Sequence, residues 1–132
     1  TENTKVVIIP FPNNPTGAIM TREELVPIVE VLKDKDIIII SDEIYSELTY
    51  DKKHVSIASF PEVKDKTIVI NGFSKAYAMT GWRIGYVGAS AEFLSGFTRS
   101  QPTPFAHTRS ATPSVVSRTS SMIESSSFII IL

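Results

Sequence analysis

Residues 71–86 read NGFSKAYAMTGWRIGY and hold a single lysine, Lys75, followed eight positions later by a single arginine, Arg83. A lysine amine can condense with a carbonyl or carry a proton between two atoms. A guanidinium fork suits a phosphate or a carboxylate. Two stretches upstream supply other chemistry. SDEIY at 41–45 offers the carboxylate of Asp42 and the phenol of Tyr45, and NNPTG at 13–17 offers the amide of Asn14. Each has an ordinary structural reading. NNPTG is a common turn, an acid after a strand often caps a helix, a tyrosine can sit in a core, and a lone lysine is usually solvated.

The surrounding elements give these residues a shared location. KVVIIPF, 5–11, is β-branched and nearly continuous in apolar character, which predicts a strand buried on both faces. The capping pair Thr21 and Glu24, with Leu25, Ile28, Val29 and Leu32 at helical spacing, predicts a helix over about 21–35, with Pro27 as its blemish. Further strands are expected at 37–41, 67–73 and 83–89, and only a short helical turn between 46 and 66. Strand, helix, strand in one short unit indicates an α/β fold with a mostly parallel sheet. In such a sheet ligands bind outside the carboxyl ends of strands. Asn14, Asp42 with Tyr45, and Lys75 follow three successive strands, and Arg83 opens the fourth.

Composition excludes several classes. At 132 residues the chain has room for one domain. Hydrophobic residues at 42% and charged residues at 20% read as globular. A net charge of -1 gives no reason to expect nucleic acid or an anionic membrane as partner. The apolar runs at 37–40 and 128–132 are too short to span a bilayer, and no signal peptide is visible. Without cysteine there is no disulfide or thiolate metal site, and His54 and His107 read as isolated surface histidines rather than metal ligands. No G-x-G-x-x-G or P-loop occurs. Composition shifts after residue 89. Residues 90–127 hold 16 Ser or Thr in 38, against 12 in the 89 before them, and all eight lysines lie at or before Lys75. The composition therefore sets a first part, 1–95, apart from 96–132, a divergent Ser/Thr-rich tail, disordered or out of frame, with AEFLSGF as one or two helical turns. The β-prone runs predict poor solubility.

In order, NNPTG, SDEIY and SKAYAMTGWRIGY resemble the fold-type I pyridoxal-phosphate enzymes, and most closely the class I/II aminotransferases of the aspartate aminotransferase group. The resemblance covers about residues 5–95. It implies the central part of a three-layer, mostly parallel large domain, and transfer of an amino group between an amino acid and a 2-oxo acid in a cytoplasmic homodimer. By the same resemblance Lys75 holds pyridoxal 5'-phosphate as a Schiff base and moves the substrate proton. Asp42 keeps the ring nitrogen protonated, Asn14 and Tyr45 donate to the phenolic oxygen, and Arg83 with Ser74 binds the phosphate. Many relatives carry a serine three positions before the lysine, where this chain has Gly72.

The family pattern includes parts with no match in this sequence. These are a Gly/Ser-rich phosphate turn and a ring-stacking aromatic residue upstream, and a substrate-binding arginine downstream. Arg99, Arg109 and Arg118 lie in the wrong kind of sequence for that arginine. The alternatives are an inactive fragment with at most weak cofactor binding, or a C–S lyase of the same fold. Lyases of that type often carry histidine where this chain has Tyr45, which favours the aminotransferase. Sensor modules of transcription regulators share the fold as well, but no DNA-binding segment is present here.

Overall fold

The computed structural model describes residues 1–100, 106–109 and 127–131, with side chains through residue 95. The elements in chain order are β1 (Val6–Ile9), α1 (Arg22–Leu32), β2 (Ile38–Asp42), a 3-10 turn (Ile57–Ser59), α2 (Pro61–Lys64), β3 (Thr67–Gly72), a second 3-10 turn (Thr80–Trp82), β4 (Gly85–Ala89), α3 (Ala91–Ser100), β5 (Ala106–Arg109) and β6 (Ser127–Ile131). The six strands form one sheet in the order β1-β2-β3-β4-β6-β5.

α1 starts where its sequence says it should. The Thr21 hydroxyl accepts from the Glu24 N–H at 3.3 Å, and the Glu24 carboxylate accepts from the Thr21 N–H at 2.7 Å, which completes a capping box. That bond from Thr21 holds the Glu24 carboxyl below its usual pKa. Pro27 lies inside the helix and cannot donate to the carbonyl four residues back. Packing offsets the loss, because Leu25, Val29 and Leu32 are all buried against the sheet. The helix stops at Leu32, earlier than its periodicity suggests, and its final carbonyls are satisfied from elsewhere. Its last turn has no basic residue of its own. Lys66, just before β3, reaches across and donates from Nζ to the carbonyls of Leu32, Lys33 and Lys35 at 3.1, 2.7 and 2.8 Å.

β1, β2 and β3 are parallel, and β4 runs antiparallel to β3. The expected mostly parallel sheet is thus a mixed one. The connection over 73–84 is spent on tight turns and one 3-10 turn, so no helix crosses the sheet to return the chain in parallel. β6 pairs antiparallel with β4, and β5 with β6, so two strands lie in the segment expected as an irregular tail. The remainder of that segment lies outside the described residues.

The two faces of the sheet differ. On one face Ile9, Ile37 and Ile39 pack with Leu25, Val29 and Leu32 of α1 and with Ile57, Phe60 and Val63, and Ile39 is fully buried. On the other face Ile68, Val87 and Ala89 pack against Leu94 of α3. Ile38 packs at the margin of that cluster, and beyond it the β1 side of this face is open. Val6 and Ile8 of β1 are 44% and 63% exposed, which corrects the expectation of a strand buried on both sides. β1 is an edge strand, and the alternating period places these two residues beyond the reach of α3. Among the described residues no helix is long and apolar enough to cross a membrane.

Lys66→Met should remove the ammonium from the carbonyls of Leu32, Lys33 and Lys35, of which Leu32 and Lys35 keep a backbone partner, while keeping the aliphatic stem. We expect a loss of about 1–3 kcal/mol in urea unfolding, with α1 amides exchanging faster than those of β2.

Candidate active site

Strand register brings the chemical residues to one end of the sheet. Ile9 pairs with Ser41, Asp42 with Ile70, and Gly72 with Gly85. The chain therefore leaves β1, β2 and β3 at the same edge. Because β4 is antiparallel, it enters β4 at that edge too. The mixed sheet is what returns Arg83 to the side where Lys75 departs.

The first turn is closed by its own backbone and one side-chain pair. Asn13 N–H donates to the Ala18 carbonyl at 2.8 Å, Gly17 N–H to the Asn13 carbonyl at 2.8 Å, and the Thr16 hydroxyl to Asn13 Oδ1 at 2.9 Å. Gly17 sits at φ 70, in the left-handed region where a glycine is favoured. The turn presents Asn14, whose Nδ2 donates to the Tyr45 hydroxyl at 3.2 Å across a span of 31 residues. Asp42 ends β2 on the open face, and its Oδ1 accepts from the Ile44 N–H at 3.2 Å. Tyr45 follows in a turn closed by Ser46 N–H to Glu43 O and Leu48 N–H to Tyr45 O, both 2.9 Å.

Lys75 lies in the turn after β3, and its Nζ is 5.6 Å from the centroid of the Tyr45 ring, within cation–π range. Asn14, Tyr45 and Lys75 are thus joined by direct contacts, with Asp42 three residues before Tyr45 at the same sheet end. Ser74 participates through its carbonyl, which accepts from the Thr80 hydroxyl at 3.2 Å. Arg83 is exposed, and its Nη1 donates to the Thr80 carbonyl at 3.1 Å. Arg83 and Ala78 both hold positive φ, 54 and 53, without being glycine. Such strain concentrates where a surrounding structure imposes a particular presentation of a side chain. Rather than opening the fourth strand, as its sequence position suggests, Arg83 precedes β4 by two residues, at the end of the 3-10 turn.

Gly72 has a steric reason. A Cβ there would lie 3.0 Å from the Ile84 carbonyl oxygen and 3.1 Å from Gly85 Cα. The close approach of β3 and β4 makes any side chain at this position tight, because the β4 backbone would have to give by a few tenths of an ångström to admit a Cβ.

Two residues differ from what their sequence suggests. His54 is not a surface residue: its side chain is only 13% exposed and lies 2.9 Å, Nε2 to Oε2, from Glu43. Glu43 is itself 5% exposed, although SDEIY alone does not distinguish it from Asp42. The signal in the sequence is the alternation of Ser41, Asp42 and Glu43, which sends the two acids to opposite faces. The side chain of His107, on β5, lies outside the described residues.

An aromatic wall stands beside the lysine turn. Phe73 packs with Tyr77 at 5.6 Å and edge-on with Tyr86 at 6.0 Å. Burial, then the negative charges of Glu43 and Glu47, push the Tyr86 phenol above its usual pKa. A raised folded-state value means that stability is fully present below the unfolded value of about 10 and is lost as pH rises through the folded value. The urea midpoint should therefore fall more steeply above about pH 10 in the native chain than in Tyr86→Phe. Parallel curves would show that Tyr86 is not the group responsible.

Comparison with known proteins bears on the family and the fold. The sequence pattern of the family described as aminotransferase class I and II matches residues 1–126. The chain is 51% identical over 100 residues to an aspartate aminotransferase of Bacillus subtilis (strain 168), covering 74% of this chain and 25% of that protein. Among solved structures it is similar to the aromatic aminotransferase of Pyrococcus horikoshii OT3, with a TM-score of 0.72 and 42% identity over 76% of this chain and 27% of that one. It is also similar to a tetra mutant of Thermus thermophilus aspartate aminotransferase complexed with tryptophan, with a TM-score of 0.68 and 38% identity over 76% of this chain and 26% of that one. The chain spans about a quarter of the length of the curated relatives it matches (22–25% in the first three). The sheet with its helices corresponds to part of their large domain, and the chain belongs to the class I and II aminotransferases, a family generally dependent on pyridoxal phosphate.

Proposed function

We propose that this sheet end is the cofactor-facing part of an enzyme that transfers an amino group between an amino acid and a 2-oxo acid, with Lys75 as its reactive amine. The observation that carries the reading is the placement of the Lys75 amine over the ring of Tyr45, whose hydroxyl is held by Asn14. A phenol that already accepts one hydrogen bond has its own proton free to donate to an oxygen placed on the open face.

The residues fit pyridoxal 5'-phosphate. An exposed amine, a phenol held by an amide, a carboxylate and a guanidinium meet at one edge of the sheet, which is the donor set that an aldehyde-bearing pyridine phosphate requires. When bound, that group supplies the electron sink that makes an amino acid Cα–H acidic. Lys75 would bind the aldehyde carbon and, once released from it, carry the substrate proton between two carbons. Asp42 lies on the open face with one oxygen fixed by the Ile44 N–H, and would hold a proton at the ring nitrogen. Asn14 and Tyr45 would donate to the ring oxygen. Arg83, with Ser74, would bind the phosphate. Assembly as a homodimer and the choice of amino acid belong to the same proposal; the relatives' names include both aspartate and aromatic aminotransferases. Those names favour transfer over C–S cleavage.

The chain mixed with pyridoxal phosphate near neutral pH and reduced with borohydride should carry one pyridoxyl group, mapped to Lys75 by peptide mass spectrometry and lost in Lys75→Ala. Labelling spread over all eight lysines, or none, would overturn the cofactor reading. Amino-group transfer from aspartate to a 2-oxo acid, assayed in parallel, separates an active chain from a cofactor-binding one.

A further inference from the structure

Behind the site lies a buried polar cluster that the chemistry above does not use. Glu43 is the residue after Asp42 and turns into the helical layer, where it is 5% exposed. Its Oε1 accepts from the Ser41 hydroxyl at 2.9 Å and from the Ser56 hydroxyl at 2.5 Å. Its Oε2 faces His54 Nε2 at 2.9 Å. That nitrogen is buried and meets the carboxylate at ion-pair distance without the alignment of a hydrogen bond. A carboxylate removed from water needs partners on both oxygens, and here both are covered. His54 and Ser56 come from the loop that follows exposed Tyr50, Asp51, Lys52 and Lys53. The cluster therefore ties that loop to the end of β2.

The same backbone is tied to β3. Glu43 N–H donates to the Ile70 carbonyl at 2.9 Å, and Asn71 Nδ2 donates to the Ser46 hydroxyl at 3.0 Å. The Glu43 carbonyl accepts from Ser46, which closes the turn bearing Tyr45. Asp42 and Tyr45 flank the anchored residue, one directly before it and one two after. Asn71 lies four residues before Lys75 on the adjoining strand.

We propose that Glu43 and His54 are positioning residues: their buried contact, with the hydroxyls of Ser41 and Ser56, sets the turn that presents Asp42 and Tyr45 to the open face opposite Lys75. This inference rests on the aminotransferase reading for its purpose, but its structural content can be measured without cofactor. A carboxylate without its imidazole would draw water into the cluster, and the turn would open before the strand behind it does.

Amide hydrogen exchange on the full chain reads this directly. The Ser46 and Leu48 amides close the turn, and the Ile39 amide, bonded to the Lys66 carbonyl, reports on the sheet. In His54→Ala, exchange at Ser46 and Leu48 should rise about tenfold with Ile39 unchanged. His54→Gln, which returns an N–H near the Nε2 position, should recover most of the protection. An unchanged turn, or an equal rise at Ile39, would overturn the proposal. If His54→Ala does not fold, Ser56→Ala takes its place: faster exchange at Ser46 and Leu48 alone supports the positioning role, and an unchanged turn or an equal rise at Ile39 overturns it. Borohydride labelling of these variants with pyridoxal phosphate should slow at Lys75 in proportion to the exchange. A native chain unlabelled at Lys75 would defeat the cofactor reading alone, because the exchange result decides the positioning role by itself.

Discussion

Consecutive side chains of a strand leave opposite faces, and at the carboxyl end of β2 this sends Asp42 to the open face and Glu43 into the helical layer. Neither direction is optional. Ile39, two residues before Ser41, is wholly enclosed by the core, so the register of β2 cannot slip without moving apolar side chains into water. One well-packed isoleucine thus fixes which acid is buried and which is available for chemistry. Ser41 and Ser56 then make the buried choice tolerable by donating to a carboxylate that water no longer reaches, while His54 lies against its other oxygen.

The site is assembled from turns, but rigid pairing sets where the turns begin. β1, β2 and β3 end together, and the antiparallel return of β4 adds a fourth chain segment to the same edge. The close approach of Gly72 to Ile84 and Gly85 makes this return tight. The positive φ values of Ala78 and Arg83 show that the turn between is shaped by its ends rather than by local preference. The opposite end of the sheet has a different task. There Lys66 completes the carbonyls of α1 and joins the helical layer to β3.

The open part of the second face follows from the same geometry. α3 covers β3 and β4 near Leu94, and the alternating period leaves Val6 and Ile8 of β1 exposed along with Ile70 of β3. The candidate site lies beyond the strand ends, where the turns carrying Asn14, Tyr45 and Lys75 meet, and Asp42 reaches it from the face that α3 leaves open.

Local signals are enough for several features. The capping box at Thr21 and Glu24, the helical stripe of Leu25, Val29 and Leu32, and the apolar runs of β2 and β3 are all interactions between near neighbours, and they stand in the sequence as they stand in the structure. Three motifs in order are enough to name the family, because the chemistry demands particular residue types at each strand end. The direction of β4 is not legible, since an apolar run reads the same in either sense and only the short connection from β3 decides it. Nor is β5, which Ser- and Thr-rich surroundings hide, or the pairing of β6, whose β-prone run is visible in the sequence but whose partners are not. The partners of Glu43 escape for the same reason. A histidine eleven residues away in sequence has no reason to be buried until the fold closes the loop over a carboxylate that needs it. Sequence determined which groups could act at the strand ends. Tertiary structure decided which of two adjacent acids faces the site and which one holds the other in place, because burial is a property of the packed layers and not of the residue.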